Sequence, residues 1–303
     1  VCMKSHLRWL ILGLALILSA CAGNTVGGSV PVIATGVDPD AWATVPGGPF
    51  LQGQHEHETL LDHDYEIMIT DVTNAQYADF LTAALAADEV RIAEDAVVGY
   101  YPGDPFHGHE HEKEIAAGEW LFVPLDAPAL RLARAGGEFA ALPGYENHPM
   151  TMVSWFGAWG YCRFHGWRLP TNAEWEKAAR GTDNRPFPRG FEIETDHANF
   201  LSSHDVFERV FEGAGGTTPV GFYNGQTYDG YATQDGTSPY GLHDMAGNVW
   251  QWTGDVHVGA HYRSLRGGSH TTYAYNLRIW TPNNADPRHT SPDVGFRCAR
   301  SRE

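Results

Sequence analysis

Positive charge is scarce in this sequence. Lys and Arg number 20 against 37 Asp and Glu, which gives a formal net charge of -17. A chain this acidic lacks the electrostatic attraction on which nucleic-acid binding depends, so that class of partner is excluded. Internal repeats, heptads, Walker and Rossmann glycine patterns and a Ser-His-Asp arrangement are also absent. Their absence argues against repeat folds and against the enzyme classes that use those motifs.

Apolar and aromatic residues, in contrast, are plentiful. Hydrophobic residues make up 43% of the chain, with 10 Trp and 13 Tyr. This is ample for a packed core and excludes a wholly disordered chain. The length of 303 residues fits one large domain or two.

The amino terminus has the features of a bacterial lipoprotein signal. Lys4 and Arg8 accompany an apolar run, Leu10 to Leu18, that is too short to span a bilayer. The lipobox sequence Leu-Ser-Ala-Cys then ends at Cys21, which we expect to become the acylated first residue. Ala22 in the next position favours the outer membrane. The alternative is an ordinary secretory signal in which Cys21 is incidental.

The remaining chain divides into a short tether and a long folded part. Residues 1–20 are the expected signal peptide, and residues 21–40 are Gly-rich without periodicity, which indicates a flexible tether. A single domain is expected over residues 41–303.

Three helices can be placed from their amino-terminal caps. Thr73 precedes Tyr77 and further apolar residues at helical spacing, and Ser154 precedes an aromatic-rich helix. Thr171 with Glu174 forms a capping box. After Gly181 the chain is predicted to consist mostly of turns and short strands. Such an irregular arrangement needs stabilising interactions beyond those of regular secondary structure.

Four segments are the most informative: Pro-Gly-Gly-Pro-Phe at 46–50, Arg-Leu-Pro-Thr-Asn-Ala-Glu-Trp at 168–175, Tyr-Gly-Leu-His-Asp-Met-Ala-Gly-Asn-Val-Trp at 240–250 and Arg-Gly-Gly-Ser at 266–269. Together these resemble the formylglycine-generating enzyme family, also called the sulfatase-modifying-factor domain. The resemblance implies an α+β fold, related to the C-type lectin fold, with little regular secondary structure and with bound calcium. Residues 85–145 carry less of the resemblance, and we expect an insertion there.

The resemblance also implies where calcium binds. Family ligands fall on two side chains and two backbone carbonyls of one loop, at Asp244, Gly247, Val249 and Gln251, with carboxylate and amide exchanged relative to the common pattern. Hard oxygen ligands on a flexible loop suit calcium. A second site would use Asn199, the Phe200 carbonyl and Glu212. The alternative is that hydrogen bonds and packing alone hold these loops.

The oxidases of this family bind Cu(I) through two cysteines that follow Arg-Gly-Gly-Ser. Here no cysteine lies between Ser269 and Cys298, and Thr272 stands at the place of the first cysteine. A hydroxyl cannot replace a soft thiolate for Cu(I), so the oxidase chemistry is not expected. The segment still corresponds to the substrate groove of relatives, and the candidates for ligand contact are His270, Thr272, Tyr273, Tyr275, Arg278, Trp280 and His289. The alternative for each is packing or surface filling.

Cys162 and Cys298 lie in two family motifs that related proteins join by a disulfide. An oxidising compartment would favour the same pairing here. The alternative is two buried free thiols.

Histidines alternate at His107, His109 and His111. Imidazoles on one side of an extended segment suit a transition metal, but no zincin or facial-triad spacing is present. A solvated loop is therefore favoured, with calcium expected and a transition metal not expected.

These features predict a lipid-anchored envelope protein that binds a small ligand or a partner protein and is not a formylglycine-generating oxidase. One alternative is a non-heme metal-dependent oxidoreductase of the same superfamily, with ligands among His107, His109, His111 and His270. Another is a structural lipoprotein in an envelope complex.

Overall fold

The computed structural model describes residues 30–108, 110–210, 216–257 and 261–302. The predicted signal peptide and Cys21 lie outside these ranges. Within them, no helix combines the length and apolar character that a membrane span requires.

Strands in this fold are short and helices are few. The strands are β1 (Trp42–Val45), β2 (Gly48–Gln52), β3 (His57–Leu61), β4 (Tyr65–Met68), β5 (Val90–Ala93), β6 (Ala96–Tyr101), β7 (Gly118–Pro124), β8 (Leu132–Ala135), β9 (Glu138–Ala141), β10 (Thr227–Tyr228), β11 (Tyr231–Ala232), β12 (Trp250–His257), β13 (Tyr262–Arg266), β14 (Asn283–Ala285), β15 (Val294–Phe296) and β16 (Ala299–Ser301). The helices are α1 (Asn74–Ala86), α2 (Trp155–Phe164), α3 (Asn172–Arg180) and α4 (Val206–Val210), with a 3-10 helix at Ala274–Leu277. The predicted α+β class with little regular secondary structure is confirmed.

The largest sheet has the order β14-β13-β12-β15, with β15 parallel to β12. A second sheet, β1-β4-β16, pairs the first and the last strand with β4, so the two ends of the described domain meet. The sheet β5-β6-β7 and the hairpin β8-β9 lie within the predicted insertion at 85–145.

The three helices predicted from their caps begin where expected. The Thr73 and Thr171 side chains each accept a hydrogen bond from the third residue of the following helix, and each capping box is closed by that residue's side chain. The Ser154 side chain accepts from the Gly157 N–H. Each cap satisfies donors that the helix leaves unpaired and contributes about 1 kcal/mol.

The packed part of the chain begins earlier than predicted. Thr35 lies in the expected tether but is buried, and its hydroxyl donates to the Val220 carbonyl at 3.0 Å. The Thr35 carbonyl accepts from the Asn224 side chain at 3.1 Å. The Gly-rich composition indicated flexibility, but these long-range bonds hold the chain at Thr35 against the domain.

A disulfide joins α2 to the end of the chain. Cys162 and Cys298 have Cα atoms 5.7 Å apart and are bonded, so this prediction is confirmed. Both cysteines are fully buried in the larger core cluster, together with Tyr77, Trp252 and Phe296. The disulfide therefore links α2 to the short connection between β15 and β16, and α1 packs in the same core through Tyr77.

Replacing either cysteine should destabilise the folded protein, because the unfolded chain gains conformational freedom when the bond is lost. The bond closes a loop with a sequence separation of 136 residues, and losing it should lower the free energy of unfolding by about 2 to 5 kcal/mol. Urea unfolding of Cys162→Ala, Cys298→Ala and the double variant measures this. The double variant should lose little more than either single variant, because all three lack the same bond. Unfolding midpoints equal to that of the wild type would contradict the prediction.

Candidate functional site

The loop predicted to bind calcium lies against a buried guanidinium, that of Arg297. Arg297 is fully buried and donates to the backbone carbonyls of Met68 and His243 at 3.1 and 2.8 Å. It also donates to the Gln251 side-chain oxygen at 2.8 Å and lies 3.4 Å from an Asp71 carboxylate oxygen. A positive charge of the protein itself therefore occupies this part of the core.

The Gln251 side-chain oxygen is fully used in hydrogen bonds. Its Oε1 accepts from Trp175 Nε1 at 2.7 Å and from Arg297 Nε at 2.8 Å, while its Nε2 donates to the Asp244 carbonyl at 2.7 Å. An amide oxygen has two lone pairs, and both are taken. In this arrangement Gln251 does not fit the role of a calcium ligand.

Two carboxylates face this one guanidinium. Burial raises the pKa of Asp71 to about 8, although Arg297 opposes the shift. Burial also raises the pKa of Asp244, opposed by a hydrogen bond of 2.7 Å from the Gly221 N–H. A proton or a further cation must balance the second negative charge. A proton on Asp71 supplies this balance at neutral pH as well as an ion would, and calcium at Asp244 stays a prediction.

The two loops predicted to bind calcium contact each other. The Asn199 carbonyl accepts from the Asn248 N–H at 2.8 Å. Gly247 has a φ of 78° and a Cβ there would overlap the same carbonyl oxygen, so this position requires glycine. The Phe200 carbonyl already accepts a hydrogen bond of 2.9 Å within a turn. Glu212 lies outside the described residues, so the second calcium site stays a prediction.

The segment that follows Arg-Gly-Gly-Ser forms a closed turn. The Thr272 hydroxyl donates to the Ser269 carbonyl at 2.9 Å and accepts from the Ser269 N–H at 3.0 Å. His270 is buried, and its Nδ1 lies 2.9 Å from the Asn248 carbonyl, which requires the proton on Nδ1. Burial lowers the pKa of His270, so the ring is neutral at pH 7. In the structure the Thr272 and His270 side chains thus hydrogen-bond to backbone groups, at Ser269 and Asn248 respectively.

Beyond this turn the side chains reach solvent. Tyr273 and Tyr275 are 70% and 64% exposed, and the Arg278 guanidinium lies 4.4 Å from the centre of the Tyr275 ring. We call these three residues the Tyr273–Arg278 surface. The other two candidates lie apart from it: Trp280 is half-buried with Arg180 of α3 over its ring, and His289 is exposed in the turn after β14.

A cavity of about 620 Å³ lies on another part of the domain. Its walls include Trp155 and Trp159 of α2 and the polar residues His63, Arg168 and Glu174. The buried Glu174 accepts two hydrogen bonds from Arg168 at 2.7 and 2.6 Å and one contact from His63 at 3.0 Å.

Burial opposes ionisation of Glu174, but the bonds from Arg168 and the Thr171 backbone outweigh it and hold its pKa below the usual value. The sequence indicated Glu174 only as a helix cap. The spacing of Trp155 and Trp159, four residues apart on one helix face, is the signal that could have located this cavity.

One group of metal-binding side chains forms within the described part of the chain. His107, Glu112 and His261 present ligand atoms that all lie within 4.8 Å of one another. Neither His111 nor His270 belongs to this group, and His109 lies outside the described residues. The sequence reading missed Glu112 and His261, because 149 positions separate them and no local pattern connects them.

Comparison with known proteins agrees with this architecture. The sulfatase-modifying factor enzyme 1-like domain matches residues 33–302. Formylglycine-generating enzyme of Mus musculus is 28% identical over 289 residues, covering 84% of this chain and 73% of that relative. Inactive C-alpha-formylglycine-generating enzyme 2 of Mus musculus is 33% identical over 282 residues, covering 86% of each.

A chlamydial relative is much longer. Serine/threonine-protein kinase pkn1 of Chlamydia caviae is 31% identical over 283 residues, which cover 84% of this chain but 37% of that protein. The chain therefore spans little more than a third of the length of this relative.

Solved structures show the same fold at low identity. PvdO from Pseudomonas aeruginosa has a TM-score of 0.54 at 21% identity and covers 86% of this chain and 94% of its own. CarF has a TM-score of 0.53 at 20% identity, with 87% and 98% covered. With the matched motifs, the irregular fold and the domain match over residues 33–302, the chain belongs to the sulfatase-modifying-factor family, and its relatives include the formylglycine-generating enzymes.

Proposed function

We propose that this protein is a lipid-anchored module of the cell envelope that binds a partner protein through the Tyr273–Arg278 surface and is not a formylglycine-generating oxidase. The exposure of Tyr273 and Tyr275, at 70% and 64%, is the observation that carries the proposal. The lipobox ending at Cys21 supports the anchor and, with Ala22, an outer-membrane location.

The Tyr273–Arg278 surface has the composition of a binding hot spot. Tyrosine and arginine are enriched among the residues that contribute most of the energy at protein interfaces. A tyrosine ring buries a large area with only two side-chain torsions, and an arginine guanidinium stacks on aromatic rings and donates several hydrogen bonds. Arg278 is already stacked on Tyr275, and the intervening Leu277 is fully buried. Binding would therefore lose little conformational freedom.

The segment from Ser269 to Arg297 contains no thiolate for Cu(I). Thr272 closes a turn with Ser269, and Cys298 is bonded to Cys162. Copper(I) requires soft donors, and the hydroxyl of Thr272 is a hard one. The 33% identity to a relative named as an inactive enzyme is consistent with a family member that has lost the oxidase chemistry.

The alternative oxidoreductase with ligands drawn from His107, His109, His111 and His270 has less support. His270 is buried against Asn248, whereas His107 groups with Glu112 and His261. These two sets of side chains lie in separate clusters.

Cross-linking in intact cells tests the binding surface. A photoreactive benzoylphenylalanine at position 275 should give a discrete cross-linked species on illumination, because this position would lie in the interface. The same residue at position 60 is the matched control, since Leu60 is 69% exposed and lies on β3. Blotting for this protein detects the products. Equal cross-linking at both positions, or none at 275, would contradict the proposed surface.

The reduced, copper-loaded protein should not convert the cysteine of a sulfatase peptide to the aldehyde. The reason is that no cysteine lies between Ser269 and Cys298, so this segment offers Cu(I) no thiolate. Mass spectrometry of the peptide provides the measurement, and mouse formylglycine-generating enzyme under the same conditions is the positive control. Turnover would overthrow the non-oxidase proposal.

Calcium added to metal-free protein should raise the melting temperature, because a ligand that binds only the folded state stabilises it, by about 2.7 kcal/mol at one hundred times Kd. Asp244→Ala should remove the response. Asp126→Ala, at an exposed acid on a turn, should keep it. An unchanged wild-type melting curve would show that Arg297 and hydrogen bonds hold the loop without calcium.

A further inference from the structure

The cluster of His107, Glu112 and His261 has no part in the proposed binding surface. His107 and Glu112 lie in the segment between β6 and β7, and His261 directly precedes β13. Glu112 Oε1 lies 2.6 Å from His261 Nε2 and 3.1 Å from His107 Nδ1. Two imidazoles from two distant segments thus converge on a single Glu112 carboxylate oxygen.

Burial shows that this convergence is built into the fold. The side chains of His261 and Glu112 are 3% and 0% exposed. The His107 N–H donates to both Glu112 carboxylate oxygens at 2.8 and 2.9 Å, which fixes the carboxylate within its own loop. The His107 ring is 52% exposed, which leaves a route for an ion from solvent.

A second carboxylate orients the His261 ring. His261 Nδ1 lies 3.1 Å from Asp104 Oδ2, on the side of the ring opposite Glu112. Asp104 is itself fixed by Tyr101 at 2.5 Å and by Arg263 at 2.6 Å. A carboxylate that holds one ring nitrogen, so that the other can bind an ion, is the usual outer shell of a metal-bound histidine.

The donor set selects the kind of ion. Two imidazole nitrogens and one carboxylate oxygen suit zinc and other divalent first-row metals, whereas calcium and magnesium prefer oxygen alone and Cu(I) prefers sulfur. Contacts of 2.6 and 3.1 Å between the ligand atoms place them close enough to share one ion after small side-chain rotations.

A fourth ligand of the ion would come from solvent. Three protein ligands with an open fourth position are typical of zinc sites that keep a bound water. The half-exposed His107 ring provides the side from which that water would reach the ion. The cavity of about 130 Å³ beside His261 is lined by Lys113, Trp120 and Arg288 and by neither His107 nor Glu112, so it is separate from the ligand atoms.

We propose that His107, Glu112 and His261 bind one divalent transition-metal ion of the zinc type, with Asp104 as the residue that orients His261. The ion would join the segment between β6 and β7 to the start of β13. This site is independent of the Tyr273–Arg278 surface and of the predicted calcium loops.

Titration of the untagged, metal-free full chain with Co²⁺ tests the site. One equivalent should bind and give the visible absorption of a low-coordinate cobalt centre, and Zn²⁺ should displace it. His261→Ala and His107→Ala should each weaken binding at least a hundredfold. Asp104→Asn should weaken it about ten- to a hundredfold, because this residue acts through His261.

Two further histidine variants are controls. His57→Ala changes an exposed histidine on β3, and His111→Ala changes an exposed histidine of the same loop outside the cluster. Both should bind cobalt like the wild type. Circular dichroism of each metal-free variant shows whether it is folded, and Glu112→Gln provides a second ligand variant of nearly unchanged shape. Absence of stoichiometric cobalt, binding unaffected in folded His261→Ala or Glu112→Gln, or loss in His111→Ala would overturn the proposal.

Discussion

The buried guanidinium of Arg297 is the interaction on which the rest of the structure depends. It joins β4 through the Met68 carbonyl, the loop before β12 through the His243 carbonyl, and β12 through the Gln251 side chain. A buried charge is tolerated only where its donors are satisfied, and removing one partner of such a pair typically costs about 3 to 5 kcal/mol. The adjacent Cys298 disulfide fixes the same point of the chain to α2, so charge and covalent bond constrain one region together.

This arrangement bears on how the loop from Asp244 to Gln251 is held. The loop's last side chain, Gln251, serves Trp175 and Arg297 and has no lone pair left for an ion. An amide can accept these two hydrogen bonds without adding charge, whereas a carboxylate there would add a third acid beside Asp71 and Asp244. The amide at position 251 is therefore explained by the needs of the core.

The local parts of this structure could be predicted from the sequence, and the long-range parts only through the family resemblance. The caps at Thr73 and Thr171 depend on side chains three residues apart, so a short pattern specifies them. The disulfide between Cys162 and Cys298 was predicted because relatives join these positions. No family motif indicated that Thr35 would be packed or that Glu112 would contact His261. Both arise from contacts across more than a hundred positions, which no spacing rule connects.

Binding and catalytic residues commonly lie on loops that a rigid scaffold holds, and the two candidate sites of this chain lie on loops that are anchored separately. The Tyr273–Arg278 surface is anchored by buried Leu277, whereas the His107–Glu112–His261 cluster is anchored by Asp104 and Arg263. No described hydrogen bond joins the two sets of residues. The turn after Arg-Gly-Gly-Ser closes without a cysteine, because the Thr272 hydroxyl donates to the Ser269 carbonyl. The contacts of Arg297 and the Cys162–Cys298 disulfide, which hold the centre of the domain, involve none of the residues of these two sets, so side chains on either loop can change while those contacts persist.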